Sequence, residues 1–88
     1  MVYIITYDLR KEGQNYDALY KKIMSLGQTL HPLQNLWFLD TAYSLDIVRD
    51  QIKTVVDSND YIFTAQLYKN SYSAWMLTSA HDWLNARL

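Results

Sequence analysis

The sequence predicts a small α+β domain, and three observations carry that prediction. Runs rich in β-branched and aromatic residues alternate with stretches whose apolar residues fall three and four apart. Two of the predicted strands are consecutive, which suits hairpin pairing in an antiparallel sheet rather than a chain of parallel crossovers. Half of the residues are hydrophobic and only two glycines and one proline interrupt them, the composition of a folded domain.

Val2 to Leu9 is the first strand, apolar on both faces and therefore suited to the middle of a sheet. It ends on Asp8 before the charged turn Arg10-Lys11-Glu12-Gly13. Asn15 is placed to cap a helix in which Tyr16, Leu19, Tyr20, Ile23 and Met24 form one apolar stripe, with Asp17 and Lys21 paired on the other side. Gly27 ends that helix. Leu30, Pro32 and Leu33 read as an edge strand, because proline cannot donate to a central ladder. Leu36-Trp37-Phe38-Leu39 reads as the inner strand of the same hairpin.

Ser44 is a cap for a second helix, assisted by Asp46, with Leu45, Val48, Ile52 and Val55 on one stripe. After the turn residues Asp57 to Asp60, Tyr61 to Tyr68 forms another strand. Ala74 to Leu77 reads as a short fifth strand, and Thr78 as the cap of a last helix carrying Ala80, Trp83, Leu84 and Leu88. The order βαββαβ is the ferredoxin-like arrangement: one domain over residues 1–88, with two helices on one sheet face and an extension over about residues 74–88. The other face is bare unless the extension or a second copy covers it.

A chain of 88 residues buries only ~60–65% of its unfolded surface. It has no cysteine, so disulfides and thiolate metal sites are excluded, and its surplus of apolar residues argues for a homodimer. The net charge of −1 gives no global attraction to nucleic acid or membrane. No apolar run approaches the ~20 residues of a membrane span and no basic, long apolar leader opens the chain, so a cytoplasmic protein is expected.

Asp8 is the leading candidate for function because it stands where the central strand runs out; its other reading is a cap for the turn at Arg10 and Lys11. His31 is a candidate for proton transfer, its ordinary pKa of about 6.5 being suitable near neutrality, against a plain hairpin position. His81 and Asp82 are adjacent on a helix, so their side chains diverge and read as solvated positions or at most a dimer contact. Tyr3, Tyr7, Tyr61, Phe63 and Tyr68 could stack bases, but little basic residue is interleaved with them, so packing in the core or a dimer is the better reading. Trp37, Trp75 and Trp83 read as core or interface anchors. There is no glycine-rich phosphate loop and no nucleophile elbow.

Tyr7-Asp8 closing the first strand of a βαββαβ chain resembles the ferredoxin-fold CRISPR-associated adaptation proteins and their relatives, the VapD toxins and a small bacterial and phage branch beside them. Further pieces are similar to that branch: Gly27 and His31, the run Trp37-Phe38-Leu39-Asp40-Thr41, Asn59-Asp60-Tyr61-Ile62-Phe63, and the segment from Trp75 to Leu84. The resemblance implies a homodimer with two first-strand aspartates facing each other. In members regarded as nucleases that pair holds a divalent metal that activates water against a phosphodiester; in the CRISPR adaptation complex the family is a DNA-binding bridge. Only Asp8 carries over by position, as a ligand for magnesium or manganese in a metal-dependent endoribonuclease or endonuclease; Arg10 and Lys11, which follow it, are this chain's own candidates for touching RNA or DNA phosphate. The alternative is a non-catalytic dimeric module that binds a partner protein or nucleic acid. The chain departs from the family in having few arginines.

Overall fold

The computed structural model describes residues 1–10 and 16–88. Four strands, β1 (Val2–Asp8), β2 (Gln28–Leu33), β3 (Leu36–Asp40) and β4 (Tyr61–Leu67), form one antiparallel sheet in the order β2-β3-β1-β4. Helices α1 (Tyr16–Met24) and α2 (Leu45–Lys53) follow β1 and β3, and α3 (Thr78–Asn85) comes last. This is the ferredoxin-like α+β arrangement, with β1 central as its apolar residues require. The predicted cap at Asn15 lies outside the described residues.

Alternation along β1 divides the core in two. Tyr3, Ile5 and Tyr7 point to the helix face, where Leu19 and Ile23 of α1, Val48 and Ile52 of α2, and Trp37 and Leu39 of β3 close around them. Each fully buried aliphatic side chain there contributes about 1.5–3 kcal/mol. Ser44 caps α2 as expected, its Oγ accepting the Ile47 N–H at 3.2 Å. Val2 and Phe38 point to the other face and meet Ala80 and Leu84 of α3, with Ile4, Leu30, Leu36 and Trp83 packed around them.

The edge strand β2 is irregular for a reason legible in its residues. Leu30 pairs with Phe38 and Leu33 with Leu36, with a register shift between them. In a regular strand a three-residue step would send the two leucines to opposite faces. The bulge at His31-Pro32 returns both to the α3 side, and proline's missing N–H is tolerated at this sheet edge.

Gly27 has a role beyond ending α1. A Cβ there would collide with the Asp40 carbonyl oxygen and crowd Leu39 Cδ1 at 3.2 Å, so the turn into β2 passes β3 only with glycine.

The C-terminal segment corrects three expectations. Ala74 to Leu77 is not a fifth strand; residues 72–77 have no regular secondary structure and lie across the α3-side face. The Met76 N–H donates to His81 Nε2 at 3.3 Å instead of to a ladder, while Tyr72 and Met76 pack on the second core. His81 is therefore a structural acceptor and not a solvated position. Thr78 does not cap α3; Leu77 occupies that position and makes no side-chain cap bond.

The last helix packs on its own sheet. Arg87 fastens it: Nε donates to Asp40 Oδ2 at 3.1 Å, one amino group to Gln28 Oε1 at 2.9 Å and the other to the Trp83 carbonyl at 3.1 Å. Its guanidinium also lies 3.8 Å from the Trp83 ring centroid.

Candidate functional site

Cover from α3 is confined to one end of the sheet. The register runs from Val2 paired with Asp40 at the α3 end to Asp8 paired with Tyr61 at the other. At that far end Thr6 and Asp8 of β1 share a face with Tyr61 and Phe63 of β4, and the rings are 64% and 61% exposed. A depression of about 320 Å³ runs between them. Tyr61, Phe63 and Tyr68 are thus surface residues, whereas Tyr3 and Tyr7 are core, as packing predicted.

The Asp8 carboxylate stands clear of the sheet, 64% exposed, and its Oδ2 accepts from Arg10 NH1 at 3.2 Å. The turn-capping task that Asp8 was a candidate for falls to Asp60. Asp60 Oδ1 accepts the Arg10 backbone N–H at 2.8 Å and Oδ2 the Asp57 N–H at 2.8 Å. Antiparallel pairing of β1 with β4 brings these residues together, a link invisible in local sequence until that pairing is known. The Arg10 guanidinium carbon sits 5.4 Å from the Tyr61 ring centroid. Lys11 lies outside the described residues.

Two further cations stand around the β4 edge, on the helix side. Arg49 and Lys53 of α2 line a neighbouring depression with Asp60 and Tyr61, although Arg49 also pairs with Asp46 at 3.3 Å and Asp50 at 3.0 Å. The two depressions share Tyr61 and Ile62 but lie on opposite sides of β4, and Asp57 and Asp60 line the one that holds the cations.

His31 does not join Asp8. Its ring stacks on Trp37 at 4.1 Å and 11°, on the helix face, and meets Tyr20 edge-on at 5.1 Å. The Gln34 carbonyl accepts from His31 Nε2 at 3.0 Å, which assigns the proton in that contact to Nε2. Beside it Trp37 Nε1 donates to Tyr7 Oη at 3.3 Å. Burial pushes the Tyr7 phenol up to about 12. This cluster of Tyr7, Tyr20, His31 and Trp37 went unread in the sequence: the two-residue turn that pairs Leu33 with Leu36 would by itself set Pro32 opposite Trp37, and the bulge brings His31 to it instead.

Among the described residues no group of three or more histidines or carboxylates converges into a metal site. Among the described residues Asp8 is the candidate oxygen donor on this face, with an exposed carboxylate. A single exposed carboxylate is compatible with magnesium or manganese, hard cations that accept one or two carboxylates and keep several waters. Among the same residues no helix is long and apolar enough to cross a membrane.

Compared with known protein families and with solved structures, the chain matches no family model and no solved structure.

Proposed function

We propose that the protein acts as a cytoplasmic homodimer in nucleic-acid metabolism or genome defence, of the CRISPR-adaptation and VapD type. Two Asp8 carboxylates meet across the uncovered end of the sheet and hold magnesium or manganese for phosphodiester hydrolysis. The observation that carries this reading is the exposed Asp8 at the end of the central strand, on a face left open beside Tyr61 and Phe63. A two-fold axis there would bury both aromatic rings and double the carboxylate. The metal would supply an activated water and charge neutralisation at phosphate. Arg10, whose guanidinium lies beside Asp8, would contact the backbone. His31 has no place in this site, because its ring is on the opposite face.

The test is cleavage of labelled single-stranded RNA and double-stranded DNA by wild type and Asp8→Asn, with and without magnesium or manganese. Metal-dependent cutting that vanishes in the variant is expected. Absence of cutting, or equal cutting by the variant, would overturn Asp8 catalysis.

A second reading, the non-catalytic interaction module, is favoured by Trp75 and Leu77, which are 100% and 76% exposed beside the apolar groove of residues 72–76. Trp75→Ala would leave single-chain stability within about 0.5 kcal/mol, since the side chain packs on nothing. If Trp75 anchors an interface, the same change weakens association by about 2 kcal/mol or more, roughly thirtyfold. Sedimentation equilibrium over a dilution series measures it, and an unchanged association constant removes Trp75 from the interface.

A further inference from the structure

We infer that Asp8 and Arg10 form an internal latch, in which the carboxylate occupies the guanidinium until a nucleic-acid phosphate displaces it. The inference rests on the nucleic-acid role proposed above and adds its regulation: phosphate and metal are admitted to one corner together. Arg10 NH1 lies 3.2 Å from Asp8 Oδ2, and both side chains are more than half exposed, so the contact can open by side-chain rotation alone. The Arg10 backbone N–H is bound to Asp60, and Tyr61 offers the guanidinium a second resting place over its ring.

Competition follows from charge. While Arg10 neutralises Asp8, the carboxylate is a poorer ligand for a divalent cation and the guanidinium a poorer ligand for phosphate. A phosphate that takes Arg10 releases Asp8 for metal, and a metal on Asp8 releases Arg10 for phosphate. Linkage makes the two effects equal in equilibrium terms. Exposed ion pairs are weak, so each partner is held back by about twofold to fivefold, enough to bias the order of binding without blocking it.

Fluorescence anisotropy with labelled single-stranded RNA and double-stranded DNA, in buffer containing EDTA, tests the latch without any dependence on cutting. Asp8→Asn should bind about twofold to fivefold tighter than wild type, and Arg10→Ala should bind more weakly with a shallower salt dependence. In the Arg10→Ala background, Asp8→Asn should give no gain. An equal gain in both backgrounds would mean that Asp8 repels phosphate directly, and would overturn the latch. So would no gain in either. Circular dichroism confirms that each variant is folded. A second arm measures free Mn²⁺ by electron paramagnetic resonance without nucleic acid. There Arg10→Ala should hold the ion more tightly than wild type, and equal or weaker binding counts against the latch. If no variant binds either oligonucleotide, the nucleic-acid reading and the latch fall together; binding with independent effects removes the latch alone.

Discussion

Replacing Arg87 by alanine should detach α3 from the end of the sheet that it closes. The side chain is 21% exposed and its partner Asp40 34%, so the contact is partly screened and falls between a surface and a buried ion pair. A charge-assisted hydrogen bond contributes about 1.5–3 kcal/mol when well shielded, and stacking of a cation on an aromatic ring about 0.5–1 kcal/mol at exposed sites. Against this, Asp40 keeps a second positive neighbour, the Met1 ammonium at 3.6 Å, so the carboxylate is not orphaned. The net loss should be about 2 kcal/mol, equal to about 1–2 M in urea midpoint for a domain of this size. Urea unfolding at fixed protein concentration, followed by far-UV circular dichroism, measures it. The double-mutant cycle with Asp40→Asn should return a coupling of about 1 kcal/mol. Additive effects, or an Arg87→Ala loss under about 0.5 kcal/mol, would refute the claim that this cluster fastens α3 to its own chain.

Gly27→Ala tests the close approach of the α1–β2 turn to β3. Were Gly27 only a helix terminator at an ordinary backbone angle, alanine would stabilise by about 0.4–1 kcal/mol; the collision with the Asp40 carbonyl predicts a loss of about 1–3 kcal/mol instead. Thermal unfolding decides the sign. Tyr7 gives an alkaline prediction. Its phenol ionises near 10 when unfolded and is pushed to about 12 by burial, so above pH 10 the unfolded chain loses the proton first and stability falls between the two values. The loss should approach 2–3 kcal/mol by pH 12, on the order of 1.36 kcal/mol per pH unit, and Tyr7→Phe should remove that part of the slope. Urea midpoints at pH 9 to 12 check it, and an identical slope in the variant would rule out Tyr7 as the group responsible.

Most of the fold was legible because its signals are local. The spacing of Leu19 and Ile23, and of Val48 and Ile52, located both helices and their buried sides, and Pro32 marked an edge strand. The C-terminal stretch defeated the same reasoning because its placement depends on distant partners. Four apolar residues from Ala74 to Leu77 look like a strand in isolation, yet Met76 gives its N–H to His81 and the other three residues are exposed. Asp8 was legible by position, at the end of a strand apolar on both faces. Its pairing with Arg10 was not, because the chain path there depends on Asp60, fifty residues away. His31 illustrates the opposite error. Its chemistry suits proton transfer, but a bulge and an aromatic stack decide which face it serves.

The two ends of β1 carry different tasks, and the strand's length keeps them apart. Seven residues at about 3.3 Å each place Val2 and Asp8 about 20 Å from one another. At the Val2 end, α3, Arg87, Asp40 and the chain's own ammonium close the face with mutually satisfied charges. At the Asp8 end the Asp8–Arg10 pair is exposed, and so are the neighbouring Tyr61 and Phe63 rings. Sequence alone can fill a sheet face at either end; here the filling residues are concentrated where no candidate ligand stands. A substitution at the Arg87 end should therefore change stability and leave the Asp8–Arg10 corner intact, whereas a substitution at that corner should change what binds while the fold keeps its stability.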